Sequence, residues 1–189
     1  MQRRKNQGSA QVVIVILILL AAIGGTVFLI MSSINKRYQA GSYSNNVYES
    51  KWANVSIKLP EGYQKLSDPT GTLNGMDAHM FRSNTSVIII ATQEQKNTNL
   101  EKEMQSLSRS FSTTAVKGAQ IVGQPVKTVK IAGEKYSCLT FDVIQGLNKV
   151  AMSLYAREVH NNGFIMIMMV SGSQKEIENF INNNISKYK

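Results

Sequence analysis

Two runs decide how this chain folds: Val87-Ile-Ile-Ile-Ala91 and Phe164-Ile-Met-Ile-Met-Met-Val170. Each is apolar at every position rather than at alternate ones. A strand of that kind is buried on both faces, so both runs belong in the middle of a covered sheet. Ser83-Asn-Thr85 before the first run, and His160-Asn-Asn-Gly163 before the second, carry turn chemistry. Short connections of this type join antiparallel strands.

Working outward, most of the chain reads as more strands. Val55, Ile57 and Leu59 alternate on one face of a half-buried strand, which Pro60-Glu-Gly62 ends. His79–Arg82 pairs as a hairpin with the run at 86–92. Gln124–Ile131, Lys135–Ile144 and Lys149–Glu158 follow as three more strands, the first two meeting across Ala132-Gly-Glu134. Leu100, Met104, Leu107 and Phe111 form one stripe of a helix over residues 99–113. Asn97, Thr98 or Asn99 can cap it, and Glu101 and Glu103 sit in its first turn. A second helix closes the chain. Ser173 and Glu176 have capping-box spacing, and Ile177, Phe180, Ile181 and Ile185 make its apolar stripe. The expected class is therefore α+β, a mainly antiparallel sheet flanked by helices.

The N-terminus has a different character. Residues 12–31, VVIVILILLAAIGGTVFLIM, contain no charge and have no polar face. Twenty helical residues span about 30 Å, the thickness of a bilayer hydrocarbon core. A cleaved signal peptide has an apolar stretch of about 7–15 residues and a small-residue cleavage site; this run is longer, and no such site follows it. The reading is an uncleaved transmembrane signal anchor. Arg3, Arg4 and Lys5 precede it, against Lys36 and Arg37 after it, which places residues 1–11 in the cytoplasm as a basic tail. Ala21, Ala22, Gly24 and Gly25 form a small-residue patch of the kind that lets helices approach. Residues 32–50, SSINKRYQAGSYSNNVYES, read as a flexible tether. Residues 51–189 are then an extracytoplasmic domain on a single-pass membrane protein.

The chain carries 21 Lys and Arg against 12 Asp and Glu, a net charge of +9. The domain's lysines, among them Lys58, Lys65, Lys96, Lys117, Lys127, Lys130 and Lys149, are scattered. There is no Arg cluster with interleaved aromatics, so no nucleic-acid partner is expected. The sole cysteine, Cys138, lies in a strand and reads as a small buried apolar residue rather than a nucleophile. His79 and His160 fall near turns or strand ends. Asp68 and Asp77 flank a Gly-rich loop and read as solubilising groups. Met152, Met166, Met168 and Met169 read as core, not as soft copper ligands. Three N-x-S sequons (Asn54, Asn84 and Asn184) matter only in a eukaryotic host. No nucleophile elbow, phosphate-binding loop or zinc-binding helix motif occurs. No catalytic, metal or cofactor residue is assigned, and no enzyme activity or cofactor is expected.

The pattern Trp52-x-Asn54 continuing to Leu59-Pro-Glu-Gly-Tyr63 is followed by a hairpin and a helix. A meander containing Ile131-Ala-Gly-Glu-Lys-Tyr136 and a terminal helix come next. Together these resemble the PsbP-like domains over most of residues 51–189. The resemblance implies an αβα sandwich around an antiparallel sheet, in a bacterial extracytoplasmic protein used as an interaction or accessory module. Separately, Lys5-Asn-Gln-Gly-Ser-Ala10 before the apolar run resembles the leader of pilin-like proteins. Those carry a Glu near the helix start, where this chain has Gln11, Val12 and Val13. Three functions follow. The first is a non-catalytic accessory domain whose partners are the lipid bilayer, through residues 12–31, and a cell-envelope protein or wall polymer. The others are a pilin-like structural subunit, and a carrier or hydrolase for a hydrophobic ligand. The sequence leaves the oligomeric state open.

Overall fold

The structure is a computed structural model that describes residues 39–66, 76–95, 99–113, 120–160 and 163–189. The expected anchor at 12–31 lies outside the described residues. Among the described residues no helix is long and apolar enough to cross a membrane.

The elements, in chain order, begin with five strands: β1 (Ser42–Ser44), β2 (Val47–Ser50), β3 (Val55–Lys58), β4 (Gln64–Lys65) and β5 (Met76–Arg82). Then come β6 (Val87–Glu94), α1 (Leu100–Thr113), β7 (Gln120–Gly123), β8 (Lys127–Ile131) and β9 (Glu134–Gln145). The chain closes with β10 (Asn148–Glu158), β11 (Gly163–Ser171), α2 (Gln174–Asn184) and β12 (Ile185–Ser186).

The large sheet has strand order β4-β5-β6-β11-β10-β9-β7, with β8 also pairing β9. Every pairing is antiparallel. The two all-apolar runs are direct neighbours at its centre. Val87 faces Val170, Ile89 faces Met168, and Ala91 faces Met166. Residues 87–93 are buried throughout, as are residues 167–171. The period-one pattern therefore reports burial on both faces.

Each face has its own cluster. On one, Leu139, Phe141, Val143, Met152, Leu154 and Met168 pack with Met104 and Phe111 of α1. The Phe111 and Phe141 rings lie 4.6 Å apart. On the other, Ile88, Ile90, Cys138, Tyr155, Ile165 and Ile167 pack with Ile177, Phe180 and Ile181 of α2. This second covering layer is not helix alone. A separate four-stranded sheet, order β1-β2-β3-β12, shares it through Tyr48, Val55 and Ile57. The αβα layering expected from the PsbP-like pattern is thus helix, large sheet, then helix plus small sheet.

The helix ends behave as the sequence indicates. Asn99 Oδ1 accepts the Lys102 amide at 3.0 Å. Ser173 Oγ accepts the Glu176 amide at 3.3 Å, an N-cap satisfying one of the helix's free donors. The Glu176 carboxylate is taken by the Ser171 hydroxyl, which binds the first turn of α2 to the end of β11. Gln174 does similar work. It accepts from the Ser153 hydroxyl at 2.7 Å and donates to the carbonyls of Phe141 at 3.2 Å and Met152 at 3.3 Å.

Two expectations need correction. The strand read at 124–131 begins only at Lys127, as β8; Gln124-Pro125-Val126 is not strand and separates it from β7, which is not among the strands expected from the sequence. Pro125 has no N–H to give a ladder, and the Gln124 amide turns to the Thr140 carbonyl at 2.9 Å. The flexible tether read at 32–50 is also wrong over residues 42–50, which are β1 and β2. Their hairpin turns at Asn45-Asn46, whose φ values of 49° and 60° are those of a type I′ turn. Residues 32–38 lie outside the described residues.

Two stability outcomes follow. Phe180 is 5% exposed and faces Tyr63 with ring centroids 6.3 Å apart; Phe180→Ala should cost about 3–5 kcal/mol in denaturant unfolding, and an unchanged curve would mean that α2 is not docked. In the β8–β9 turn Ala132 and Gly133 both have positive φ, 50° and 83°. A Cβ-bearing residue pays about 1–2 kcal/mol there, and Asn tolerates the region better. Ala132→Asn should therefore raise the unfolding free energy by about 1 kcal/mol, measured the same way.

Candidate functional site

A buried imidazole and a half-buried carboxylate meet where the β1–β2 hairpin lies against β5. Asp77 and His79 are two positions apart on a strand and so share a face. That face looks toward the small sheet. His79 Nε2 lies 3.1 Å from Asp77 Oδ1. The other carboxylate oxygen, Oδ2, accepts the Gly41 amide at 2.8 Å. Tyr48, fully buried, stands with its ring 5.3 Å from the His79 ring, and Tyr43 packs on Phe81 at 4.7 Å. Gly41 is required by space. A Cβ there would stand 2.2 Å from the Tyr48 hydroxyl oxygen, closer than any van der Waals contact.

This corrects the reading of both side chains. His79 is 8% exposed in the middle of β5, not at a strand end. Asp77 is not a solubilising loop residue but a half-buried strand residue with two partners. Burial pushes its pKa up. The hydrogen bond from His79, the charge on that ring, the Gly41 amide and the charge of Lys65 together outweigh burial and hold the carboxyl below its ordinary value. Asp68 lies outside the described residues. The sequence carried a usable signal for this site: Asn45-Asn46 between Tyr43 and Tyr48 is a hairpin signature, masked by the polar serines on either side.

The residues weighed as nucleophile and base are kept apart. Cys138 is 1% exposed on β9, opposite Tyr155 on β10. Burial raises its thiol pKa, against smaller lowering by the charge of Lys127 and a hydrogen bond with Tyr155. Tyr155 is likewise pushed up, chiefly by burial and then by Cys138. His79 is on β5, with β6, β11 and β10 between it and β9. Four inter-strand steps of about 4.8 Å separate the two strands by roughly 19 Å. His160 lies in the exposed turn after β10 at φ 53°. A buried thiol whose pKa burial raises, four strands from His79, is not set up as a nucleophile.

The methionines weighed as copper ligands also separate. Met166 and Met168 project to the α1 side with Met152, whereas Met169 packs on the opposite face. Among the described residues no three His, Cys, Asp or Glu side chains converge as a metal site would need. Arg157 has a structural use. It donates to the Ala53 carbonyl and lies over the Tyr136 ring, 5.4 Å from its centre, tying the large sheet to the turn between β2 and β3.

No protein-family model and no curated protein matches the sequence. The fold does match solved structures. Cyanobacterial PsbP (CyanoP) from Synechocystis superposes with a TM-score of 0.52 at 14% identity, over 84% of this chain and 99% of that one. LpqN, described as involved in cell envelope biogenesis of Mycobacterium tuberculosis, gives 0.46 at 10% identity, over 71% and 83%. The chain carries a PsbP-like fold.

The Asp77 cluster makes stability depend on acid. A carboxyl with a folded pKa below its unfolded value stabilises fully above the ordinary carboxylate range. That contribution is lost as pH falls through the folded value. Asp77→Asn should cost about 1.5–3 kcal/mol at neutral pH. The gap to the wild type should close as the solution is acidified from about pH 4 downward. Denaturant unfolding across that range measures it; parallel curves at all pH values would show that Asp77's charge does not matter.

Proposed function

We propose that this PsbP-like domain is a non-catalytic accessory module held outside the membrane by a single N-terminal anchor. The observation that carries the reading is the order of segments. Residues 12–31 are an uncharged apolar run of bilayer length, and a strand integrated into a folded domain begins at Ser42. Arg3, Arg4 and Lys5 orient the run with the N-terminus in the cytoplasm. With the Gly41 amide fixed on Asp77, residues 32–40 are what is left for a tether. A coil of nine residues spans about 15–18 Å, which keeps the domain within reach of the headgroups rather than lifting it well clear of them.

A binding role is favoured over a catalytic one by the placement of Cys138, buried and strands away from His79. It is favoured over a hydrophobic-ligand carrier by the interface of α2 with the sheet, which Ile177, Phe180 and Ile181 fill. The partners that fit are the bilayer, through residues 12–31, and a protein or polymer of the cell envelope. A pilin-like subunit has less support, because no Glu stands at the start of the apolar run.

Protease added outside intact cells, or outside protoplasts where a wall intervenes, should digest the domain and leave the apolar segment in the membrane fraction. A domain that is protected until the membrane is lysed would invert the orientation. A protein recovered without residues 12–31 would remove the anchor.

A further inference from the structure

We propose that β1 is a releasable strap over the Asp77–His79–Tyr48 cluster, latched to the body of the domain by the Asp77 carboxylate. The two strands of the hairpin are held very unevenly. β2 pairs with β3 at four positions, Val47 with Lys58 through to Ser50 with Val55. It buries Tyr48 and Ser50 completely, and the Ser50 hydroxyl accepts the Ala53 amide at 3.1 Å. The Leu59 amide donates to the Asn46 carbonyl at 2.7 Å, fixing the hairpin turn to the end of β3. β2 therefore belongs to the core.

β1 is held by much less. It is three residues long and pairs with β2 alone, Ser42 to Glu49, Tyr43 to Tyr48 and Ser44 to Val47. It is the outermost strand of its sheet. Ser42 and Ser44 are exposed, and only Tyr43 is partly buried. The Tyr43 hydroxyl bonds within the hairpin itself, to Asn46 Oδ1 at 3.0 Å. Among the described residues, the Gly41 amide on Asp77 and the Tyr43 ring on Phe81 bind this segment to the large sheet. An edge strand with few apolar contacts sits at the low end of local stability.

The boundary between strap and body accordingly falls at Asn45-Asn46. Gly41 covers the Tyr48 hydroxyl at closest approach and closes one side of the Asp77 carboxylate. Release of residues 39–44 uncovers both and bares the outer backbone edge of β2, an edge able to pair with another strand. The latch is electrostatic on one side, a backbone amide on a carboxylate, and apolar on the other.

Hydrogen exchange of the full chain in dodecyl maltoside micelles, read by mass spectrometry, tests this. In the wild type the amides of residues 41–44 should open separately from those of β9, β10 and β11 and with lower protection. In Asp77→Asn the strap amides should exchange about tenfold faster or more, while β9–β11 stay protected and the far-ultraviolet circular dichroism is kept. Equal protection of the strap and β9–β11 in both proteins would overturn the proposal, since β1 would then open only with the whole domain. Strap protection unaffected by Asp77→Asn would overturn it too, because the carboxylate would not be the latch. Should Asp77→Asn fail to fold, Tyr43→Ala removes the other tie and is read against the same two outcomes.

Discussion

The rest of the fold depends on one pairing, that of β6 with β11. Eight consecutive residues of each strand meet in register, from Val170 on Val87 to Gly163 on Glu94. Most of the side chains involved are apolar on both faces of the sheet. A pair like this cannot lie at an edge or face water, so it demands two covering layers. The long hairpin β9–β10 extends the sheet on one side and β5 on the other. α1 and α2 are amphipathic, and each supplies one apolar stripe to one face. Neither helix is long enough to be stable in water without that docking.

The two covering layers are not equivalent, and their difference locates the chemistry of interest. The α1 side is a conventional apolar interface built on Phe111, Phe141, Leu139 and Leu154. The other side is shared between α2 and a small sheet made largely from the first described residues of the domain. Where two kinds of element share a layer their seam must be filled, and polar groups fill it here. Asp77 and His79 stand at the seam between β5 and the β1–β2 hairpin. Arg157 stands at that between β10 and the turn after β2, and Gln174 at the start of α2. Each has at least one partner, a backbone group or a neighbouring side chain. The proposed strap lies at that seam. It lies where the chain leading from residues 12–31 enters the domain.

Much of this could be read in advance from local patterns. Both helices, their caps at Asn99 and Ser173, and the two central strands were visible because each depends on periodicity or on a capping side chain within one short segment. Cys138 as a buried strand residue followed from its apolar neighbours. Those signals are local; the structure picks Asn99 from the three cap candidates and moves Ile185, read as the end of the helical stripe, into β12. The β1–β2 hairpin was not visible because its sequence is polar. Two tyrosines and a valine carry its apolar content, and only pairing with β3 and β5 makes them core.

By itself, then, the sequence determined the two helices and the long strands, that the two central strands are covered on both faces, and that an uncharged apolar run of bilayer length precedes the domain. Tertiary structure alone decided which charged and aromatic side chains meet. Asp77 and Gly41 are 36 residues apart and Arg157 and Ala53 are 104. Nothing in either local stretch marks the other as its partner. The physical reason is that apolar periodicity records how a segment faces the core. A buried carboxylate or guanidinium is satisfied by whichever donor or acceptor the packing of distant elements brings within about 3 Å.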